Sequence, residues 1–281
     1  MAATVGQIIA DMTARFAVAG IETARLDARV LTGHVLNIEP SLLFARSDME
    51  MPPEKATLLE TFAARRLAYE PVSRIIGKRE FWGMDFALTA DTLDPRADTE
   101  TLVSAVLGVK DQYTAPRILD LGTGTGCILL SILKDWPEAT GVGIDLNPGA
   151  VTAAQANAST LGFSSRASFQ QGDWYAGLTG TFDIIVSNPP YIVAAEVATL
   201  MDEVRRFDPL LALSGGDDGF AAYRVIIPGA QAHLSPGGRL FLEIGIGQEL
   251  AATSLLASCG LQPMAEYRDL AGIVRCLEAR A

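Results

Sequence analysis

The chain has 281 residues, 49% hydrophobic and 20% charged, enough apolar surface to exclude a disordered or low-complexity class and long enough for two domains or one large domain with an appendage. Thirty-three acidic residues against 22 basic ones leave a formal charge of −11, which argues against a bare nucleic-acid binder but not against a local basic patch. Cys127, Cys259 and Cys276 are odd in number and far apart, and His34 and His233 are scattered, so neither a disulfide framework nor a metal site is expected. The N-terminal stretch lacks the order of a signal peptide, and no uncharged run is long enough to span a bilayer, so the chain reads as soluble and cytoplasmic with no membrane partner.

In chain order, residues 1–71 read as a small helical domain. Val5, Ile8, Ile9, Met12 and Phe16 recur at three- and four-residue steps, with Thr4 as N-cap and Gly20 as stop. Thr23 opens a second predicted helix, Pro40 a short third segment, and Pro53 a longer helix that ends near Glu70, before Pro71. Residues 72–100 change character: Arg74–Gly77, Glu80–Gly83 and Phe86–Thr89 are rich in β-branched, aromatic and glycine residues and predict two strands of a hairpin linker. The polar run Leu93–Glu100 opens the next helix.

From residue 101 to 281 predicted strands alternate with helices. Strands are expected at 117–121, 142–145, 182–186 and 239–244, with two more near 264–268 and 272–278. Ser168–Gln170 leads to Asp173-Trp174. Helices are expected at 127–134, from the cap Asn147 to Leu161, at 219–234 and at 248–258, with Ser235-Pro236-Gly237-Gly238 as a strong turn. Such alternation implies an α/β domain with a mostly parallel sheet covered on both faces.

Four stretches carry chemistry. Asp120-Leu121-Gly122-Thr123-Gly124-Thr125-Gly126 sits where a strand gives way to a helix, and its glycines permit a tight turn and close backbone approach to a ligand at the carboxyl edge of the sheet. A dinucleotide fingerprint needs a third glycine at Cys127 or Leu129, so that reading fails. The GxGxG spacing instead resembles the loop of class I S-adenosylmethionine methyltransferases. Asp145, about twenty residues on, is placed to accept ribose hydroxyls. Asp173-Trp174 ends the next strand at the same edge, and in the fold it resembles that position lines an adenine pocket; a core tryptophan is the competing explanation. Asn188-Pro189-Pro190-Tyr191 follows strand 182–186. Its two prolines stiffen the loop and leave carbonyl acceptors, the Asn188 oxygen adds another, and Tyr191 adds an aromatic wall. That set suits a planar NH2 group whose two N–H bonds meet two oxygens.

Asn-Pro-Pro-Tyr is similar to the motif of methyltransferases acting on nitrogen conjugated to a planar system, adenine N6 and protein glutamine N5 among them. Within that set the chain resembles the peptide chain release factor glutamine methyltransferases, the HemK/PrmC family, over essentially its whole length. The matching stretches are Arg74–Gly77, Arg79–Trp82, Pro95-Arg96 with Asp98-Thr99-Glu100, Asp120–Gly126, Gln171–Trp174, Val186–Tyr191 and the loop Gly215–Gly219. The resemblance implies a Rossmann-like class I methyltransferase domain with a seven-stranded sheet, joined by the hairpin linker to an N-terminal substrate-recognition domain. It implies S-adenosyl-L-methionine as methyl donor, S-adenosyl-L-homocysteine as product, no metal, and transfer to the glutamine of a Gly-Gly-Gln motif in class-1 release factors. Gly122, Thr123, Gly124, Thr125, Gly126, Asp145, Asp173, Trp174 and Asn188 would hold the cofactor. Asn188, Pro189, Pro190 and Tyr191 would hold the substrate, with Asn188, Pro189 and Tyr191 catalytic. The chain departs from the family pattern at Asp94, where an apolar residue is usual, and at Ala97, where proline is usual. Three other readings share the same residues: glutamine methylation of another protein such as a ribosomal protein, adenine N6 methylation of nucleic acid, and a non-catalytic adenosyl-ligand sensor. The charge balance weighs against stable nucleic-acid binding.

Overall fold

The computed structural model describes residues 3–281. Its described residues form two compact units, one running through Gly77 together with Asp202–Phe207, the other comprising Lys78–Met201 and Asp208–Ala281.

The first unit is helical: α1 (Val5–Val18), α2 (Ala24–Leu36), a 3-10 turn (Pro40–Arg46), α3 (Pro53–Leu67) and α4 (Val72–Ile76). Thr4 caps α1 in a reciprocal pair with Gln7, as its position before the apolar stripe predicts. Val5, Met12 and Phe16 on that stripe are buried against Leu31, Leu43 and Leu59. Asn37 ends α2 in the left-handed conformation. The segment Arg74–Gly77, expected as strand, is the end of α4: Pro71 precedes the helix, and Gly77, with φ of 76°, terminates it. A short Ile-Ile run carries no periodicity to separate the two readings, and the flanking proline and glycine decided it. Asp202–Phe207 completes the unit. Glu203 accepts a 2.6 Å hydrogen bond from the buried Arg66, whose Nε also donates to Asp27 at 2.8 Å.

The second unit begins with a hairpin, β1 (Lys78–Phe81) and β2 (Met84–Ala87). Trp82 and Gly83 both have positive φ, which gives the two-residue turn the twist that antiparallel strands require. After a 3-10 turn (Ala97–Thr99) and α5 (Glu100–Leu107) comes the main sheet: β3 (Arg117–Leu121), β4 (Thr140–Asp145), β5 (Ala167–Gln171), β6 (Phe182–Ser187), β7 (Leu234–Glu243), β8 (Gln262–Arg268) and β9 (Val274–Arg280). Helices α6 (Cys127–Asp135), α7 (Pro148–Thr160), α8 (Asp202–Phe207), α9 (Leu210–Leu213), α10 (Tyr223–His233) and α11 (Glu249–Ser258) complete the chain. α8 is the segment that packs in the first unit.

The sheet order is β5-β4-β3-β6-β7-β9-β8, parallel from β5 to β7 and antiparallel at β9 and β8. Alternate strand residues face opposite sides. Ile118, Ile184 and Val186 pack with α5, α6 and α7, while Leu119, Leu121 and Ile185 pack with α10 and α11. Both faces are therefore covered, as the near-continuous apolar strands predict. Ser235–Gly238, expected as a turn between helix and strand, falls instead within β7: pairing steps from Phe182↔Leu234 to Ile184↔Arg239, so those residues bulge out of the ladder. The stretch 192–213, which shows no clear periodicity, holds a 3-10 turn (Ala194–Thr199), α8 and α9.

β3 and β6 are neighbours, yet β3 leads to β4 on one side and β6 to β7 on the other. The chain reverses its winding between them. Loops leaving the carboxyl ends of those two strands diverge there and open a crevice, the usual ligand site of such sheets.

Candidate active site

The glycine loop after β3 and the Asn188–Tyr191 loop after β6 both emerge at this crevice. A cleft opens between them, lined by Gly122, Gly124, Asp145, Trp174, Asn188 and Pro190. Asp173 also reaches its wall.

Gly122, Gly124 and Gly126 have φ of 73°, 55° and 81°, a region that side-chain-bearing residues avoid. The loop is pinned from below. The Gly122 and Thr123 amides donate to the Ile144 carbonyl at 2.8 and 2.9 Å, and the Gly124 amide donates to Asp145 Oδ2 at 2.9 Å. Asp145 Oδ1 accepts from the Asn147 amide, also at 2.9 Å. Each carboxylate oxygen keeps capacity for a further hydrogen bond, and Asp145 lines the cleft. Burial raises the proton affinity of Asp145, and the backbone donors oppose it.

Not every residue of the glycine motif faces the cleft. The Thr123 hydroxyl turns inward and donates to Asp120 Oδ2 at 2.7 Å. The Thr125 carbonyl accepts from Asn157 on α7 at 3.0 Å. Gly126 packs so closely on Phe169 and Ala154 that a Cβ there would lie 3.2–3.3 Å from them. Asp120 is fully buried under the loop, its Oδ1 makes no hydrogen bond, and burial pushes its carboxyl up to about 7.

Trp174 stands at the boundary between cleft and core. It lines the cleft and also packs on the core face with Leu121 and Ile144. Its φ of 51° is unusual for a bulky residue and turns the ring toward the glycine loop, 3.8 Å from where a Gly122 Cβ would stand.

In the loop after β6, Asn188 and Pro190 face the cleft, whereas Pro189 is buried and Tyr191 points away from it. Asn188 Nδ2 donates to the Thr99 hydroxyl at 3.1 Å, which leaves Asn188 Oδ1 for the cleft. The Tyr191 carbonyl accepts from Gln248 Nε2 at 3.1 Å, and its hydroxyl lies 3.5 Å from Glu243 Oε1. Burial, together with the Glu243 charge, raises the Tyr191 phenol above its ordinary range. The loop Gly215–Gly219 closes on the same segment: Gly215 donates to the Ile192 carbonyl at 2.8 Å, and a Cβ on Gly219 would fall 2.5 Å from the Tyr191 carbonyl.

Several cleft residues escaped the sequence reading. Leu146 and Asn147 follow Asp145 directly, and Asn147 registered only as a helix cap. Asp91, Leu93, Leu211 and Ala212 come from irregular stretches with no distinguishing pattern. The departures at Asp94 and Ala97 fall in a segment tied down by charge. Arg79 pairs with the buried Asp94 at 3.7 Å, Arg96 with Asp208, and Arg275 with Asp98 at 2.8 Å. Among the described residues no cluster of His, Cys, Asp and Glu is arranged to hold a metal ion, and no helix is long and apolar enough to cross a membrane.

Residues 7–77 match the PrmC N-terminal domain family, and residues 90–206 match the methyltransferase small domain family. A release factor glutamine methyltransferase of Rhodospirillum rubrum is 51% identical over 279 residues, covering 99% of this chain and 86% of that protein. The chain belongs to the release factor glutamine methyltransferase family. It is a methyltransferase. Relatives of the same name from Cereibacter sphaeroides and Moorella thermoacetica are 46% and 40% identical, covering 95% and 98% of this chain and 94% and 98% of theirs. Two solved structures share the fold at low identity. A methyltransferase from Pyrococcus furiosus has a TM-score of 0.52 at 17% identity, covering 79% of this chain and 98% of that one. The hMettl16 catalytic domain has a TM-score of 0.58 at 15% identity, covering 81% of each chain. The mostly parallel seven-stranded sheet expected from the alternating pattern and the resemblance is thus the architecture of this methyltransferase.

Proposed function

We propose that this enzyme transfers the methyl group of S-adenosyl-L-methionine to the side-chain amide nitrogen, N5, of the glutamine in the Gly-Gly-Gln motif of class-1 peptide chain release factors, with S-adenosyl-L-homocysteine as product. The observation that carries this reading is the orientation of Asn188. Its NH2 group is occupied by Thr99, so its oxygen is the atom offered to a substrate NH2 beside the glycine loop.

The residues present fit the cofactor. Gly122 and Gly124 clear room for a ligand to approach the backbone, Asp145 offers acceptor lone pairs for ribose hydroxyls, and Trp174 supplies a flat apolar wall beside Asp173. Asp120, buried beneath that loop with an unpartnered oxygen, supplies negative potential toward a cationic ligand. We assign Gly122, Thr123, Gly124, Thr125 and Gly126 to the cofactor loop, the two threonines acting through Asp120 and α7 rather than by facing the cleft. S-adenosylmethionine, when bound, supplies a methyl group already activated on a sulfonium.

An amide nitrogen is a poor nucleophile because its lone pair is delocalised into the carbonyl. Asn188 Oδ1 and the Pro189 carbonyl each accept one N–H of the glutamine amide. Holding both protons turns the lone pair toward the methyl group and fixes a near-attack geometry. The same two oxygens stabilise positive charge as it grows on nitrogen. Pro190 stiffens the loop, and Tyr191 anchors it through Gln248 and Glu243. The proton leaves after transfer, so no strong base and no metal is required. We read residues 1–71 as the substrate-recognition domain, 72–100 as linker, 101–281 as the methyltransferase domain, and the enzyme as cytoplasmic.

The test is incubation with methyl-labelled S-adenosylmethionine and a class-1 release factor, beside the same factor with its motif glutamine replaced. Label on the intact factor alone supports the proposal. Label on neither, with cofactor binding established by calorimetry, overturns it in favour of another protein target.

A further inference from the structure

The loop Gly215–Gly219 holds none of the groups assigned to the transfer, yet it is built around Tyr191. A Cβ on Gly215 would lie 2.8 Å from Tyr191 Cα, and one on Gly219 would lie 2.5 Å from the Tyr191 carbonyl oxygen. Both glycines are buried, and Gly219 has φ of 78°. The same Gly219 Cβ would stand 2.8 Å from Gln248 Nε2. Glycine at 219 therefore leaves the space in which the Gln248 side chain meets the Tyr191 carbonyl.

Gln248 lies between β7 and α11, and its carboxamide is held at both ends. Oε1 accepts from the Gly245 amide at 2.9 Å and from the Tyr223 hydroxyl on α10 at 3.1 Å. Nε2 donates to the Tyr191 carbonyl at 3.1 Å. The partners dictate this orientation. A backbone N–H can only donate and a backbone carbonyl can only accept, so the amide cannot turn over without breaking both bonds. Gln248 thus ties the stretch after β7 to the exit of the Asn188–Tyr191 turn.

That turn depends on ties at its ends. Pro189 and Pro190 have no N–H, so no backbone donor lies between Asn188 and Tyr191. The entrance is fixed by Ser187, which pairs with Leu121 on β3 and donates its hydroxyl to the Leu121 carbonyl at 2.7 Å. Asn188 is held through Thr99 at 3.1 Å. Beyond the turn, the Ile192 amide donates to the Leu213 carbonyl at 3.0 Å. Gln248 holds the last carbonyl of the turn itself.

We propose that Gln248 is a positioning residue for methyl transfer: by donating to the Tyr191 carbonyl it fixes the exit of the turn, and with it the direction of the Pro189 carbonyl toward the substrate amide. This rests on the reading of Asn188 and Pro189 as acceptors of the glutamine N–H groups. Gln248 does not line the cleft, whereas Gly122, Gly124 and Asp145, assigned to the cofactor, do. Its loss should therefore fall on turnover and not on cofactor binding.

The full chain is assayed for methyl transfer to a release factor at saturating S-adenosylmethionine, with cofactor affinity measured by calorimetry and folding by circular dichroism. Gln248→Met keeps the length of the side chain and removes its hydrogen bonds. Gln248→Glu keeps an acceptor for Gly245 but, when ionised, has no proton to give Tyr191. Each should lower kcat by about ten- to a hundredfold, with cofactor affinity within about threefold of wild type. A Gln248→Glu enzyme with wild-type kcat overturns the proposal, and so does a kcat loss matched by an equal loss of cofactor affinity. A second readout needs no substrate. The chain has six tyrosines, and 13C at their carbonyl carbons gives a resonance for Tyr191 that Tyr191→Phe assigns. That resonance should shift in both Gln248 variants, as the carbonyl loses its donor. An unmoved resonance overturns the inference whatever the substrate. A shifted resonance in a chain whose wild type leaves the release factor unlabelled supports the tie and overturns only the release-factor reading.

Discussion

The Thr123 hydroxyl donates a 2.7 Å hydrogen bond to Asp120 Oδ2, while Asp120 Oδ1 makes none. A hydroxyl from the glycine loop thus half-satisfies a carboxyl that is otherwise sealed in the core. The pair places latent negative charge directly under the proposed cofactor site, and its ionisation follows pH in the neutral range.

Affinity for S-adenosylmethionine should therefore rise as pH increases through about 7, because Asp120 then gains the charge that a sulfonium favours. Asp120→Asn should remove that slope. S-adenosylhomocysteine, whose sulfur is uncharged, should show a weaker slope in wild type. Calorimetric titrations at pH 6, 7 and 8 decide this; an Asp120→Asn slope equal to wild type removes Asp120 from the account. Stability of the free protein runs the other way. The folded state keeps a proton on Asp120 up to about 7, whereas the unfolded chain releases it near 4. Unfolding free energy should fall as pH rises across that window, Glu243 contributing in the same direction.

Asp145 is proposed to accept the ribose hydroxyls while holding the Gly124 and Asn147 amides. Asp145→Ala should weaken cofactor affinity by about ten- to a hundredfold, the range expected for losing charge-assisted hydrogen bonds. Saturating cofactor should restore most of the turnover. Unchanged affinity by calorimetry removes Asp145 from the site.

Asn188→Ala should behave oppositely. The proposed hydrogen bonds strengthen as charge grows on the substrate nitrogen, so their loss falls on the chemical step. A drop in kcat of about 10²–10³ is expected, with cofactor affinity changed far less. Single-turnover labelling of a release factor separates the two quantities, and parallel losses in both would count against the assigned role.

Arg66, 2% exposed, bridges Asp27 on α2 and Glu203 on α8. Arg66→Ala leaves Asp27 buried without its cation, and the first unit should lose about 3–5 kcal/mol. Urea unfolding followed by circular dichroism reads this directly. Glu203→Ala should cost less, because Glu203 is partly solvated and Arg66 keeps Asp27. Equal losses would mean that the bridge across α8, and not the Asp27 pair, carries the stability.

Much of the candidate site was legible because its residues are contiguous. Gly122–Gly126 and Asn188–Tyr191 announce themselves through glycine spacing and paired prolines, whose backbone demands hold in any context. What each residue faces was not legible. Thr123 and Tyr191 sit in those motifs yet turn inward to Asp120 and Glu243, because packing and not local sequence sets a side chain's direction. Leu211 and Asp91 reach the cleft from stretches with no periodicity at all.

The amino-acid sequence alone determined the alternation of strands and helices, the two stiff loops and the caps at Thr4 and Asn147, since each follows from the conformational preference of a few adjacent residues. Tertiary structure alone decided which distant residues meet. The reversal of winding between β3 and β6 brings Gly122 to Asn188. Closure of the sheet brings the Tyr191 hydroxyl to Glu243, and the excursion of α8 carries Glu203 to Arg66, 137 positions away. No local preference encodes such pairings. They arise when burial of two apolar sheet faces leaves these polar groups one another as partners.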